Sequence, residues 1–556
     1  MNTQMPIGVD DFKEVREDYY FVDKTHFIQS LIDGHSKVTL LTRPRRFGKT
    51  LTMSMLDYFF SLEREQESLH LFDGLQIARA GIDYMKHRGQ YPVLFMTFKG
   101  IQNDTWDLAF NAFQLVIQKE FQQHRYLLDS PELAPEEKQL YSRFLDNTAT
   151  LAEYQISLLY LCEYLYRYYK IQPIILIDEY DVPLENAYFN GFYQQMIDFI
   201  RSLFESALKT NPHLYFAVIT GCLRITKESI FTGLNNLAIN SIMNIPYGDS
   251  FGFTPEEIEK LLTDYEQTDA FSQIKEWYDG YLFGNSEIYN PWSVLNFLTN
   301  ADGLQRAYWS NTSSNDIVRT LIEKADLSVR AEIEELIAGG TIEKPVHEDI
   351  TYQDIYSSDE NLWNFLFFTG YLRSTERRMI DDQIYVTLSI PNKEVCQIYK
   401  TKVLGWFKEA VGQKDLSPLY RAILEGNADG FQEKLTGLLQ DTISFYDNAE
   451  AFYHGFMEGI LANMKSHIVK SNRESGDGRY DVLIRSLDVT KPLILMEFKT
   501  AKNFPSLEER AKEALEQIAE KEYDREFKNE GYQSSIRYGI AFYKKNCCIK
   551  KEEMIL

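Results

Sequence analysis

Val38-Thr39-Leu40-Leu41-Thr42-Arg43-Pro44-Arg45-Arg46-Phe47-Gly48-Lys49-Thr50 opens as an apolar strand and closes on Gly-Lys-Thr. Residues 51–60 then follow a helical pattern. Strand, loop, Gly-Lys-Thr and helix is the order that phosphate binding needs. Amides at the helix N-terminus wrap the phosphates, and the helix dipole favours negative charge. Arg46, Phe47 and Gly48 form the loop, and Gly48 permits the close backbone approach. Lys49 is placed to reach the β and γ phosphates of ATP, and the Thr50 hydroxyl to ligate Mg²⁺. The first glycine of the general pattern is replaced by Arg43. Gly-Lys-Thr alone is a weak signal, because a basic loop that merely starts a helix reads the same way.

A second stretch strengthens it. Ile174-Ile175-Leu176-Ile177-Asp178-Glu179 is a buried-type strand ending in two acids. Asp178 is expected to hold Mg²⁺, directly or through water, and Glu179 to polarise the attacking water. Acids at the C-terminal end of a parallel strand sit where open α/β sheets bind ligands. A third strand over 214–220 ends in Thr220, a candidate for the γ phosphate or its water. Arg224, four residues on, is a candidate phosphate sensor. For both, a strand-end hydroxyl and a surface arginine are the plain alternatives.

Around these motifs, the first 250 residues or so alternate strands and helices. Apolar runs at 38–42, 92–98, 174–178, 214–220 and 242–245 are separated by helical stretches such as 105–121 and 151–169. That alternation predicts a parallel sheet covered by helices on both faces. From about Gly252 helical patterns dominate, beginning at Thr254-Pro255-Glu256-Glu257, where Thr254 can cap and Pro255 suits the first helical position. Short strands near 383–389 read as a wing. From about Phe445 the texture is mixed again. The expected domains are a P-loop domain at 1–250, a helical and winged-helix-like region at 251–440, and a third α/β domain at 441–556.

That third domain carries its own polar set. Gly478-Arg479-Tyr480-Asp481-Val482-Leu483-Ile484 is followed by Leu493-Ile494-Leu495-Met496-Glu497-Phe498-Lys499. Two strands joined by a turn bring Asp481 beside Glu497. Glu497 and Lys499 are two apart, so they project from one face of a strand. Phosphodiester hydrolysis wants this set. The carboxylates of Asp481 and Glu497 fix Mg²⁺, and Lys499 orients or deprotonates water. Burying Glu and Lys in an apolar strand costs several kcal/mol unless they are paired or metal-bound. A surface hairpin with an ordinary ion pair is the alternative.

The chain resembles the AAA-ATPase-like family of bacterial proteins that carry a C-terminal PD-(D/E)XK nuclease domain. The matching pieces are Tyr20-Phe21-Val22-Asp23-Lys24-Thr25, the loop from Arg43, Asp178-Glu179-Tyr180-Asp181, Ser229-Ile230-Phe231-Thr232-Gly233-Leu234-Asn235-Asn236 and Tyr289-Asn290-Pro291-Trp292-Ser293. Within that family Arg in place of the first Gly is expected. The resemblance implies an ATPase core, residues near Asp23 and Lys24 close to the nucleotide, a lid with a winged-helix-like segment, and a C-terminal restriction-endonuclease-like domain. There Tyr453-His454-Gly455 opens a helix, Glu474 takes the upstream acidic position, and Gln517 with Tyr523 completes the pattern.

Bulk numbers bound the function. The 556 residues suffice for roughly three or four domains of about 150 each. A formal charge of −24, from 58 basic and 82 acidic residues, argues against broad coating of nucleic acid. Any DNA contact must rest on a local site. Five scattered cysteines read as reduced thiols in the cytoplasm. No apolar run approaches the ~18 residues of a membrane span. Two functions fit: an ATP-regulated nuclease acting on DNA, or a nucleotide-dependent switch whose last domain only binds nucleic acid or a partner. No helicase motif series accompanies the P-loop elements. A homo-oligomer is allowed, with Arg224 or Arg43 acting across its interface.

Overall fold

The computed structural model describes residues 4–224, 230–231, 234–300, 302–311, 327–348, 352, 355, 358–400, 415–442, 450–461, 464, 467–475, 478–521, 523, 527 and 530–556. They form two compact units. The first holds residues 1–313 and 343–395, the second 314–342 and 396–556.

The first unit is built on five strands, β1 (Val38–Thr42), β2 (Val93–Thr97), β3 (Ile174–Asp178), β4 (Ala217–Gly221) and β5 (Leu237–Asn240). All pair in parallel, in the order β2-β3-β4-β1-β5. β1, β3 and β4 are buried along their whole length, which is why they read as unbroken apolar runs rather than alternating ones. The order has a functional consequence. β4 lies between β1 and β3, so the loop after β1 and the acids after β3 flank Thr220 at one end of the sheet.

The expected fifth strand at 242–245 is displaced to β5. There Ser241 ends the strand, because the Asn244 side chain accepts from the Ser241 amide at 2.8 Å and from its hydroxyl at 3.1 Å. This local turn competes with the ladder. The long helices Trp106–Gln123 and Leu151–Tyr169 fall where their periodicity places them. Further on are a small hairpin, β6 (Tyr281–Phe283) and β7 (Ser286–Ile288), and a three-stranded sheet β8-β10-β9. Its strands are β8 (Ile342–Val346), β9 (Arg373–Ile380) and β10 (Gln383–Ser389), the last matching the expected wing strand.

The second unit carries a five-stranded sheet of β11 (Ile468–Ser475), β12 (Gly478–Arg485), β13 (Leu493–Thr500), β14 (Ser534–Tyr543) and β15 (Asn546–Ile555), in that order. Only β13 and β14 pair in parallel, and the helix Leu507–Glu520 makes the crossover between them. Gly539 of β14 lies under that helix. A Cβ there would collide with the main chain of Ala511 and Leu515, so the missing side chain is what lets helix and sheet meet. β15 was not legible as a strand, because its second half, Lys550-Lys551-Glu552-Glu553, is charged. It is an edge strand, where charge guards against further pairing. Cys547 and Cys548 alternate along it, the first buried and the second half-buried. Among the described residues no helix is long and apolar enough to cross a membrane.

Candidate functional site

In the first unit the helix Lys49–Phe60 starts directly after Gly48, whose φ of 86° is open to glycine. No side chain caps this helix start, so its first amides are left for a ligand. Lys49 is buried, at 4% exposure. Its Nζ donates to the carbonyls of Arg43 at 3.1 Å and Pro44 at 3.0 Å, and lies 3.5 Å from Cys222 Sγ. Asp178 closes the corner. Its carboxylate accepts the Thr50 hydroxyl at 2.8 Å and the Thr220 hydroxyl at 2.6 Å. Burial and the neighbouring Glu179 push the Asp178 carboxyl up, while the two hydroxyls and Lys49 pull it down. A hydroxyl and a carboxylate in hydrogen-bond contact at the mouth of a phosphate loop can hold Mg²⁺ between them.

Glu179 follows in a left-handed conformation, φ 54°, and Arg46 is also left-handed at φ 69°. Such backbone costs roughly 1–3 kcal/mol for a non-glycine residue and clusters at functional sites. Both line a cavity of about 280 Å³ together with Gly48, Lys49 and Thr50. Thr220 sits behind the cavity, under the Glu179 amide at 3.3 Å. Phe47 turns inward and packs on Tyr281 and Phe283 at 4.9 and 5.2 Å. Arg224 is not on the cavity wall. It pairs with Glu348 at 3.1 Å.

Arg43, where the general pattern has glycine, is fully buried. Its guanidinium donates to the carbonyls of Thr42 and Asn240 at 2.8 Å each and of Tyr247 at 3.0 Å. Burial lowers its pKa to about 9. The idea that Arg43 acts across an interface is therefore corrected: it ties β1 to the segment after β5. Asp181 has a role that its motif alone did not reveal. Its buried carboxylate accepts the amides of Cys222 at 2.7 Å and Leu223 at 2.9 Å, which holds the turn after β4. An acid three residues past Asp178, in an otherwise buried stretch, was the available signal. Of the expected nucleotide neighbours, Lys24 lines the cavity. Asp23 instead accepts from Thr25 and from the Gln76 amide, at 2.6 and 2.7 Å.

In the second unit the β12–β13 register pairs Val482 with Met496. One step further it sets Asp481 opposite Glu497, on one face. There the ladder opens, and the Asp481 carboxylate takes the Phe498 amide at 2.7 Å. Glu497 is 4% exposed. Its Oε1 accepts from Gln517 Nε2 and lies 4.0 Å from Lys499 Nζ. Gln517 also reaches the Tyr523 hydroxyl at 3.4 Å. Burial raises the Tyr523 phenol, and the charges of Glu497 and Asp481 add to the shift. His454 sits behind Asp481, its Nε2 3.2 Å from the Asp481 carbonyl. The Glu474 side chain lies outside the described residues, as do Ser229, Thr232 and Gly233. Among the described residues no three of His, Cys, Asp and Glu gather as a metal cluster. Two carboxylates on one face still fit Mg²⁺, which takes one or two carboxylates and completes its shell with water and substrate phosphate.

A parallel sheet with a Gly-Lys-Thr loop and an acid-ended strand defines a P-loop ATPase-like domain. The mixed sheet with Asp and Glu-x-Lys on facing strands defines a nuclease-type domain. Comparison with known proteins agrees. Residues 6–231 match the family described as predicted AAA-ATPase, and residues 448–552 match the PD-(D/E)XK nuclease superfamily. The chain thus joins an AAA-ATPase-like domain to a C-terminal domain of the PD-(D/E)XK nuclease superfamily. It is similar to an uncharacterized protein in the vnfD 5′ region of Azotobacter chroococcum mcd 1. The two are 25% identical over 541 residues, 95% of this chain and 94% of the relative.

Proposed function

We propose that this protein binds and hydrolyses ATP in its first unit and cleaves DNA phosphodiester bonds in its second, with the nucleotide regulating cleavage. The observation that carries the nuclease half is the Glu497 carboxylate. It is buried in an apolar strand, bonded by Gln517, approached by Lys499 and faced by Asp481. A buried carboxylate so equipped is costly as scaffolding and useful at a phosphate. Asp481 and Glu497 are the residues to hold Mg²⁺, which when bound neutralises charge developing on the phosphate. Lys499 then orients the water. In the ATPase half, Lys49 exchanges its two carbonyl partners for phosphate oxygens, Thr50 and Asp178 hold the nucleotide's Mg²⁺, and Glu179 orients the attacking water.

The test is cleavage of double-stranded, single-stranded and branched DNA, and of RNA, by the purified chain with Mg²⁺, with and without ATP. Metal-dependent cleavage of DNA, lost in Asp481→Ala, is expected. If wild type and Lys499→Ala are equally inert on every substrate, the nuclease half falls. The net charge of −24 favours a second function, a nucleotide-driven switch whose last domain only recognises its partner. Rapid cleavage abolished by Asp481→Ala rules that out.

A further inference from the structure

Among the described residues five cations line the nucleotide cavity: Lys24, Arg45, Arg46, Lys49 and Lys99. They differ in how much of their charge is left over. Three are paired with carboxylates: Lys24 with Glu257 at 2.5 Å, Arg45 with Glu185, and Lys99 with Asp10 at 3.2 Å. Two are not. Lys49 rests on main-chain carbonyls. Arg46 makes no ion pair among the described residues, and its guanidinium lies 4.3 Å from the centroid of the Trp292 indole. An aromatic face attracts a cation without cancelling its charge.

The loop itself aims Arg46. The three residues before Gly48 go three ways. Arg45 turns to Glu185, and Phe47 turns inward onto Tyr281 and Phe283. Arg46, left-handed at φ 69°, stays exposed on the cavity wall. Trp292 is pinned at two points. Its amide donates to the Asn290 side chain at 3.0 Å, and its indole N–H to the Tyr308 carbonyl at 3.4 Å. The ring is thus a fixed seat for the guanidinium. Burial lowers the Arg46 pKa, and the charge of Glu179 opposes the fall. An arginine still keeps its charge at neutral pH. Glu179 is the residue proposed to orient water at the terminal phosphate, so a cation in its field stands at that end of a bound triphosphate. Mg²⁺ cancels only part of a triphosphate's charge, and two cations with charge left over suit the remainder.

We infer that Arg46 binds the terminal phosphate of a nucleoside triphosphate from within the same chain, and that Trp292 is the positioning residue that holds its guanidinium there. This rests on the nucleotide-binding proposal above, and the experiment separates the two. ATP, ADP and inorganic tripolyphosphate are titrated calorimetrically into the full chain with Mg²⁺. Arg46→Ala is expected to weaken ATP and tripolyphosphate about tenfold or more, the value of a charged hydrogen bond, and to leave ADP within about twofold. The retained ADP binding also reports that the variant is folded. Trp292→Leu is expected to show the same pattern at about threefold, the value of a partly exposed cation–π contact. Trp292→Phe keeps an aromatic face and is expected to recover most of that loss. Three results in Arg46→Ala overturn the inference: unchanged ATP binding, equal weakening of ATP and ADP, or weakening of ATP without tripolyphosphate. The nucleotide site still stands in each case if Lys49→Ala loses ATP. Trp292→Phe as weak as Trp292→Leu overturns the positioning role. A wild type that binds none of the three ligands overturns both proposals.

Discussion

Lys49 and Lys499 each stand beside carboxylates, yet they are held in different ways. Lys49 is nearly sealed, at 4% exposure, and its bonds go to two main-chain carbonyls. Carbonyl dipoles satisfy an ammonium without cancelling its charge, so the site remains attractive to a polyanion. Lys499 keeps a fifth of its side chain in solvent, and its neighbour is a full carboxylate 4.0 Å away. There the cation and anion already offset each other. The difference teaches where charge is left over: the first corner keeps an uncancelled ammonium, and the second, with Asp481 and Glu497 against one lysine, keeps an excess of carboxylate.

The largest effect expected is on chemistry in the second corner. Lys499→Ala should lower metal-dependent cleavage about 10²- to 10⁴-fold, the range for losing a positioned acid–base group, with Mg²⁺ affinity nearly kept. A stopped-time cleavage assay measures it. Equal rates in the variant and wild type would make Lys499 a surface cation and break the comparison. The first corner should split into two behaviours. Lys49→Ala should weaken ATP about thirtyfold or more, because it removes the charged partner of a buried anion. Glu179→Gln should bind ATP as wild type does and turn it over about a hundredfold more slowly. Calorimetry with phosphate release distinguishes them, and comparable turnover in Glu179→Gln removes its role.

A smaller effect concerns how Gln517 is brought to Glu497. Gly539 is the register partner of Glu497 in the β13–β14 pair, and it is where the helix bearing Gln517 touches the sheet. Gly539→Ala should push that helix off, costing about 1–3 kcal/mol of stability by overpacking. Cleavage should fall with it, since Glu497 loses an oriented donor. Chemical denaturation checks the first part. Unchanged stability would mean that the helix yields freely.

How far the sequence carried these corners depended on distance along the chain. The phosphate loop and the Asp178 strand were legible because each is a contiguous pattern of strand, turn and charge. Asp481 opposite Glu497 followed from a hairpin and period-two alternation alone. The tie made by Arg43 was not legible, because its partners Asn240 and Tyr247 lie about 200 residues away and only the fold puts them there. β5 was misplaced for a local reason, since Ser241 and Asn244 form a turn inside what reads as an apolar run. Asp181 was legible only as the last acid of a matched stretch, and its hold on the turn after β4 was not. An aspartate gains meaning only when its burial and its partners are known.

The smallest effect is a control on both corners: a buried carboxyl that has neither lysine nor site. Glu120, on the helix Trp106–Gln123, accepts the Phe95 amide at 3.2 Å and forms no ion pair among the described residues. Burial pushes its pKa up to about 8, with Asp57 adding to the shift. The folded state therefore favours the protonated acid. Its stabilising contribution is complete below the ordinary carboxyl value of about 4.5 and fades as pH rises through about 8. Glu120→Gln keeps the shape and an acceptor for Phe95 while removing the proton's release. The variant should melt close to wild type at pH 5 and above it at pH 8.5, by a few degrees, as thermal scans across that range would show. If the two proteins keep a constant gap at every pH, Glu120 does not titrate there. The cost of a buried carboxyl without a cation, against which Glu497 was judged, would then need another measure.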